Sequence, residues 1–212
     1  VATDTLNLLV NVEAAVTQEI TEEMRMKLRH EFGFSFLVLR DKIQAELSIS
    51  HEQEASLQKY LRETAPADLE FLQAKESRGG DFDAYRSKAI QKLDASLQEI
   101  LSDAQRRRLA ELVRQREGLF GGPSLWNGLQ ITDEEKTKFM AVIEPMQKKM
   151  HAAASEAEHG ANTTEVQHRV LALRADLERQ MEAVLTESQR QRWQEMTGKP
   201  IAVEALFDLS GG

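Results

Sequence analysis

His151, His159 and His168, with Glu158, Met146 and Met150 nearby, are the side chains in this sequence best able to hold a metal ion. The spacing argues against it. His151 and His159 stand eight apart, two helical turns rather than the single turn that lets an i, i+4 pair chelate. His168 falls on the next helix, from which it could approach His159 or Glu158. The reading taken is solvated histidines and packing methionines, with no metal and no cofactor. The carboxylate pairs Glu22-Glu23 and Glu134-Glu135 lie in first helical turns, where they complement the helix dipole rather than trade protons. There is no cysteine, so thiolate chemistry and disulfides are excluded. No glycine-rich phosphate loop follows a strand pattern. The chain reads as a protein that is not an enzyme.

The residues that recur are a hydroxyl and an amide. An aliphatic residue, a Ser or Thr, two polar residues and then Gln or Glu appear at Ile49-Ser50-His51-Glu52-Gln53, Leu101-Ser102-Asp103-Ala104-Gln105, Ile131-Thr132-Asp133-Glu134-Glu135 and Leu185-Thr186-Glu187-Ser188-Gln189. A fifth copy at Ile20-Thr21 ends in Met24 and lacks the acceptor. The chemistry is a capping box: the hydroxyl accepts from the backbone N–H three residues on, and the Gln or Glu reaches back to the cap's own N–H. Each such cap holds about 1 kcal/mol. Seven residues after each hydroxyl comes a large apolar residue: Leu28, Leu57, Leu109, Phe139 and Trp193. Seven is two turns, so these five side chains should all face a core.

The hydroxyls are spaced by 29, 52, 30 and 54 residues, short and long in alternation, so a unit of 82 to 84 residues is used about twice. Residues 1–117 form one helical half, 118–130 a Gly-rich connector, and 131–212 the second half with a tail. The elements that position the phrases follow from periodicity. A short apolar helix is expected over 1–18, then a helix over 22–47. The helix capped by Ser50 should run to about Glu63, and Thr64-Ala65-Pro66 should start another, since proline suits a first turn. Arg78-Gly79-Gly80 ends that one, and Asp81 caps a helix through Ile100. The helix from Ser102 follows almost without a loop. From Thr132, Phe139, Ile143, Met146 and Met150 form a stripe, with Pro145 bending the helix. His159-Gly160-Ala161-Asn162 turns the chain. Val166, Val170, Leu173, Leu177, Met181 and Val184 then make the facing seam of an antiparallel pair. Gly198 and Pro200 stop helix formation, and the tail should dock Ile201, Val203, Leu206 and Phe207. The fold class is all-α, with antiparallel helical hairpins in two fused repeats.

Composition agrees. Four prolines, 11 glycines, 29% charged and 6% aromatic residues suit long amphipathic helices. The net charge of −8 argues against nucleic acid or anionic lipid as a partner. Arg106-Arg107-Arg108 reads as a solvated face. No stretch approaches the roughly 18 apolar residues of a membrane span, so no membrane insertion is expected. The chain opens at Val1 without Met, as a trimmed or processed form would.

Leu-Thr-x-x-Gln phrases repeated in a helical, cysteine-free, Met- and Gln-rich chain resemble the Spy/CpxP family of bacterial envelope stress proteins. Leu101-Ser102-x-x-Gln105 and Leu185-Thr186-x-x-Gln189, each followed by Arg-x-Arg, carry the likeness best, and it touches residues 20 to 196. The resemblance implies a helical hairpin cradle, a homodimer, a periplasmic or otherwise exported location, and ATP-independent chaperoning, stress-adaptor work or a metal-linked response. Two differences are plain: this chain is a tandem, and its charge is negative where chaperone members carry a basic face.

Apolar surface supplies the candidate site. Phe32, Phe34 and Phe36 alternate, so one helix face cannot bury all three, and Leu119, Phe120, Leu125 and Trp126 crowd the Gly-rich connector. Either each cluster plugs the end of its own bundle, or it offers a groove to an unfolded or partner protein. The functional expectation is therefore chaperone-like or adaptor binding of protein through Phe32, Phe34, Phe36, Leu119, Phe120 and Trp126. Its rivals are a metal-responsive periplasmic protein and a structural adaptor with one dedicated partner.

Overall fold

The computed structural model describes residue 28 and residues 34–78, 82–158 and 162–207. Among them every regular element is helical. In chain order they are a 3-10 helix η1 (Phe34–Leu39), α1 (Asp41–Glu46), α2 (His51–Arg78), α3 (Phe82–Ile100), α4 (Asp103–Glu117), α5 (Pro123–Gly128), α6 (Asp133–Glu158), α7 (Thr163–Val184), α8 (Glu187–Thr197) and α9 (Val203–Leu206). The chain divides into two compact units, Val1–Leu109 and Ala110–Gly212. The expected helix over 1–18, the cap at Thr21, and Gly79, Gly80, Asp81 and His159 lie outside the described residues.

Four helices start where the phrases place them, and all four boxes are closed. Ser50, Ser102, Thr132 and Thr186 accept from the N–H groups of Gln53, Gln105, Glu135 and Gln189 at 3.2 to 3.3 Å. The reciprocal bonds, from each cap's N–H to the Gln or Glu side chain, span 2.8 to 3.0 Å. Leu28, Leu57, Leu109, Phe139 and Trp193 are all buried, as the two-turn spacing requires.

Unit 1 departs from the expected helix over 22–47. Within its described part, η1 ends at Arg40, whose backbone is extended (φ −87°, ψ 132°), and α1 begins afresh. The reason is burial without a period. Phe36, Leu37, Val38 and Leu39 are four consecutive fully buried residues, and an α-helix lying on a core buries only one stripe. The tighter 3-10 turn packs them as a plug instead, and the Gln44 amide donates to Val38 O at 3.0 Å.

The restart at Pro66 is also corrected: α2 runs unbroken through it. Leu57, Leu61, Ala65, Asp68 and Leu72 are buried at steps of four, four, three and four, so one stripe passes straight through the proline. An interior proline costs about 3 kcal/mol in an isolated helix, and here packing against α3 on both sides of it overrides propensity. α3 answers with Ala89, Leu93 and Leu97.

In unit 2 the core is Leu119, Leu125, Leu129, Ile131, Phe139, Ile143, Met146, Leu177, Met181, Leu185 and Trp193. Most of the expected α6 and α7 stripes are here, with Met150, Leu173 and Val184 partly buried against it. α6 packs on α7. Arg169 pairs with Glu156 near the intervening turn, while Gln189, just after α7, meets Glu135 at the start of α6. The contacts thus step in opposite directions along the two helices. Asn162 caps α7, accepting from Thr164 and Glu165 N–H.

The Gly-rich segment 118–130 is not a bare connector. Pro123 opens a short helix, α5, and Leu119, Leu125 and Leu129 are core residues. α1 and α5 end alike. Ser48 (φ 51°) and Gln130 (φ 57°) take the left-handed conformation, and Ile49 and Ile131 N–H reach back to Gln44 O and Trp126 O. This is a Schellman cap, and the two copies stand 82 residues apart, the offset found in the sequence.

Candidate functional site

The repeated amides do more than cap their own helices, because in each unit the two phrases meet. In unit 1, Gln53 Nε2 donates to Gln105 Oε1 (2.8 Å) and to Ile100 O (2.8 Å). Gln105 Nε2 donates to Gln53 Oε1 (3.0 Å) and to Leu47 O (3.1 Å). Each oxygen also accepts its cap's N–H, so both amides spend two donors and two acceptors on structure. Two helix starts are thereby pinned to one another.

In unit 2, Gln189 Nε2 donates to Glu135 Oε2 (3.0 Å) and to Gln130 O (3.3 Å). Glu135 accepts from Thr132 N–H and from Gln189, and these two bonds, in that order, hold its carboxyl below the usual carboxylate range. An ionised carboxylate has no proton to return to a carbonyl. The unit 2 clasp is therefore one-sided.

The Arg-x-Arg after the phrase has a matching role. Arg106 donates to Gln98 O and Leu101 O, and Arg190 to Glu182 O, at the ends of the preceding helices. Arg108 binds Glu46, and Arg192 binds Gly128 O, at the ends of α1 and α5. Cations at helix C-termini are favourable. Arg106 and Arg108 of the basic run are engaged with the protein's own carbonyls and carboxylates, and Arg107 is exposed, which leaves the phrase with a structural task.

Polar groups in less obvious places form the second cluster. Gly118 ends α4 with φ 69°. The next N–H, of Leu119, donates to both carboxylate oxygens of Glu178 at 3.1 and 3.0 Å. A Cβ on Gly118 would stand 2.6 Å from Glu178 Oε2, so the turn needs glycine for its φ and for this approach. Arg174, one turn before Glu178, donates to Arg116 O. Its guanidinium lies over two rings, 4.3 Å from the Phe120 centroid and 4.7 Å from that of Phe207.

Burial pushes the Glu178 carboxyl up to about 7, outweighing the Leu119 N–H and Arg174, which pull it down, while Glu182 adds a smaller push upward. Burial likewise lowers Arg174, to about 10, against the pull of Glu178. A half-buried acid and base side by side on one helix face make this a candidate site.

These two side chains stand on one wall of a cleft of about 270 Å³. Leu171 and Ala175 continue the α7 wall, Trp193 and Thr197 come from α8, and Ile201, Leu206 and Phe207 close it from the C-terminal arm. Gln115 of α4 holds the arm's first residues: its Nε2 donates to Thr197 O (2.6 Å) and Lys199 O (2.8 Å), and its Oε1 accepts from Ile201 N–H (3.2 Å). Leu206 is buried and Ile201 and Phe207 are half-buried, as expected of a docking tail, whereas Val203 is 40% exposed.

The aromatic candidates fare differently. Phe36 and Leu119 are fully buried and offer no surface to a partner. The cause is the η1 plug in one unit and, in the other, the Leu119 N–H bond to Glu178. Trp126 is half-buried, donating to Leu119 O at 2.7 Å and tilted on Phe139. Phe120 is half-buried beneath Arg174. Phe32 and the Phe34 side chain lie outside the described residues. Of the histidines, His151 and His168 are exposed and His159 is outside the described part. Among the described residues no three His, Cys, Asp or Glu side chains gather as metal ligands would, and no helix is long and apolar enough to cross a membrane.

Unit 1 has its own buried acid. Asp68, raised by burial, accepts from the Tyr85 hydroxyl at 2.8 Å and so ties α2 to α3. Reading the sequence by spacing missed both acids. Arg174 and Glu178 are an i, i+4 pair, which in sequence looks like any solvated pair. The available signal was their position beside Leu173 and Leu177 in the seam. No known protein family, curated protein or solved structure matches the chain.

Proposed function

We propose that this chain is a non-enzymatic envelope protein that binds polypeptide, as a chaperone or stress adaptor, and that the cleft beside Arg174 and Glu178 is where it does so. The observation that carries the reading is that one wall of the cleft is itself a docked segment of polypeptide. Residues 201–207 are docked there as its outer wall through a buried leucine, a phenylalanine against a guanidinium, and a main-chain N–H read by Gln115. None of these contacts needs a particular protein, only a chain with an aliphatic and an aromatic residue suitably spaced. The resemblance of the phrases to the envelope stress family supports the same class of activity and the exported location.

The cleft replaces the Phe cluster as the favoured surface. Among the described residues only Met140 and Val203 are large, apolar and exposed, so the apolar area available to a client lies in grooves rather than on an open patch.

The test is aggregation of a reduced, unfolded client, followed by light scattering without ATP. Substoichiometric to equimolar protein should suppress it. Ala175→Arg places a long charged side chain in the cleft from an exposed helical position. That variant should lose most of the suppression while keeping its thermal midpoint. Full suppression by Ala175→Arg, or none by the parent, sinks the proposal. Calorimetry with zinc, copper and nickel on the same samples checks the metal reading.

A further inference from the structure

The C-terminal arm has the properties of a ligand more than of a structural element. Among its described residues the only regular piece is α9, four residues long, and a helix that short does not persist on its own. It follows a natural hinge, Gly198 at φ 61° and Pro200. Beyond the Gln115 contacts, it is held by Leu206, which is 4% exposed, and by the Phe207 ring against Arg174 and Arg116, at 4.7 and 5.7 Å.

The receiving surface, by contrast, is built without the arm. Arg174 is held by the Phe120 ring, by the Arg116 carbonyl and by the neighbouring Glu178, itself anchored on Leu119 N–H. Trp193 belongs to the core. The Phe120 contact to Arg174, the apolar wall and the Gln115 amide do not depend on Phe207. A preformed half-site that a short, hinged segment completes is how a resident ligand is bound.

We propose that Ile201–Phe207 is a ligand resident on the α7 and α8 side of the cleft and that the partner is a segment of the same pattern, an aliphatic residue, one further aliphatic two on, then Leu followed by an aromatic, which takes the arm's place by displacing it. This rests on the reading of the cleft as a polypeptide site and names the class of chain it takes. The tether gives the arm an effective concentration on the order of millimolar, so a free segment of equal intrinsic strength is held off. Whatever loosens the arm raises apparent affinity in proportion to the fraction opened. An arm docked about nine-tenths of the time suppresses binding roughly tenfold.

A labelled synthetic peptide with the sequence of residues 199–207 is the probe, and fluorescence anisotropy on the full chain is the readout. The parent should bind it weakly, and Leu206→Ser with Phe207→Ser about tenfold or more tightly. Phe207→Ser alone removes the ring from Arg174 and Arg116 while leaving Leu206 and the Gln115 bonds in place, and serves as the milder variant should the double one unfold. A probe with Ser at its own Leu and Phe should not bind, and Ala175→Arg should abolish binding in every background. Equal affinity for parent and arm variants overturns the inference. Client suppression that vanishes in Ala175→Arg while peptide binding ignores the arm also overturns it, yet leaves the proposed function standing. Peptide binding that tracks the arm without any suppression supports the ligand class and removes the chaperone activity instead.

Discussion

Two glutamates in unit 2 show how environment decides what one residue type does. Glu135 is half-buried and held below the carboxylate range by the Thr132 N–H and the Gln189 amide, whereas Glu178 is lifted to about 7 by burial. The signs of their linkage to stability are opposite. Glu178 binds its proton more tightly in the fold than in the unfolded chain. No penalty arises below about pH 4.5, the ordinary carboxylate value, where both states are protonated. It grows as pH rises from there to about 7 and is complete above. Glu178→Gln removes the titration while keeping an oxygen for Leu119 N–H. Whatever the loss of Arg174's partner costs, the thermal midpoint of the variant relative to the parent should climb between pH 4.5 and 7 and level off beyond. A difference that is flat across that window would show that Glu178 is not buried as described. Capping residues were legible in the sequence because their chemistry closes within four residues. Glu178 was not, because its burial depends on a turn 59 residues earlier in the chain and on the arm.

Elements were legible where a period ran uninterrupted. The α6 and α7 stripes, the four capped starts and the stop at Gly198 could all be read from spacing. Two failures share one cause, which is that tertiary burial outranked a local rule. Pro66 stays inside α2 because a buried stripe continues through it, and Phe36–Leu39 leaves the α form because all four are buried. The caps of α1 and α5 went unnoticed for a related reason. A left-handed C-cap normally advertises itself by glycine, and here the residues are Ser48 and Gln130. This yields an element-scale expectation. Ser48→Gly and Gln130→Gly should each stabilise by about 0.5–1 kcal/mol, since glycine takes positive φ without steric cost. Alanine at either position should destabilise. Urea denaturation of the four variants decides it, and glycine variants weaker than the parent would refute the cap.

At the scale of the whole molecule, one local design is used twice, with one chemical difference between the copies. Each unit closes on a clasp between two phrases, Gln53 with Gln105 and Glu135 with Gln189. Every clasp bond stays inside its own unit: residues 47–105 in the first, 130–189 in the second. A buried or half-buried amide that loses its partner costs about 1–3 kcal/mol for the groups left unpaired, and local opening follows the bonds that are lost. Gln105→Ala removes the bond to Leu47 O and both bonds between the Gln53 and Gln105 amides, so hydrogen exchange should accelerate around 47–57 and 100–109. Gln189→Ala should do the same around 130–139 and 184–193. The unit 1 loss should be the larger, because its clasp is reciprocal while the carboxylate of Glu135 makes that of unit 2 one-sided. Protection lost equally in both units by either variant would mean that the phrases do not act as separate clasps. The repeat in the sequence would then record ancestry without a mechanical role.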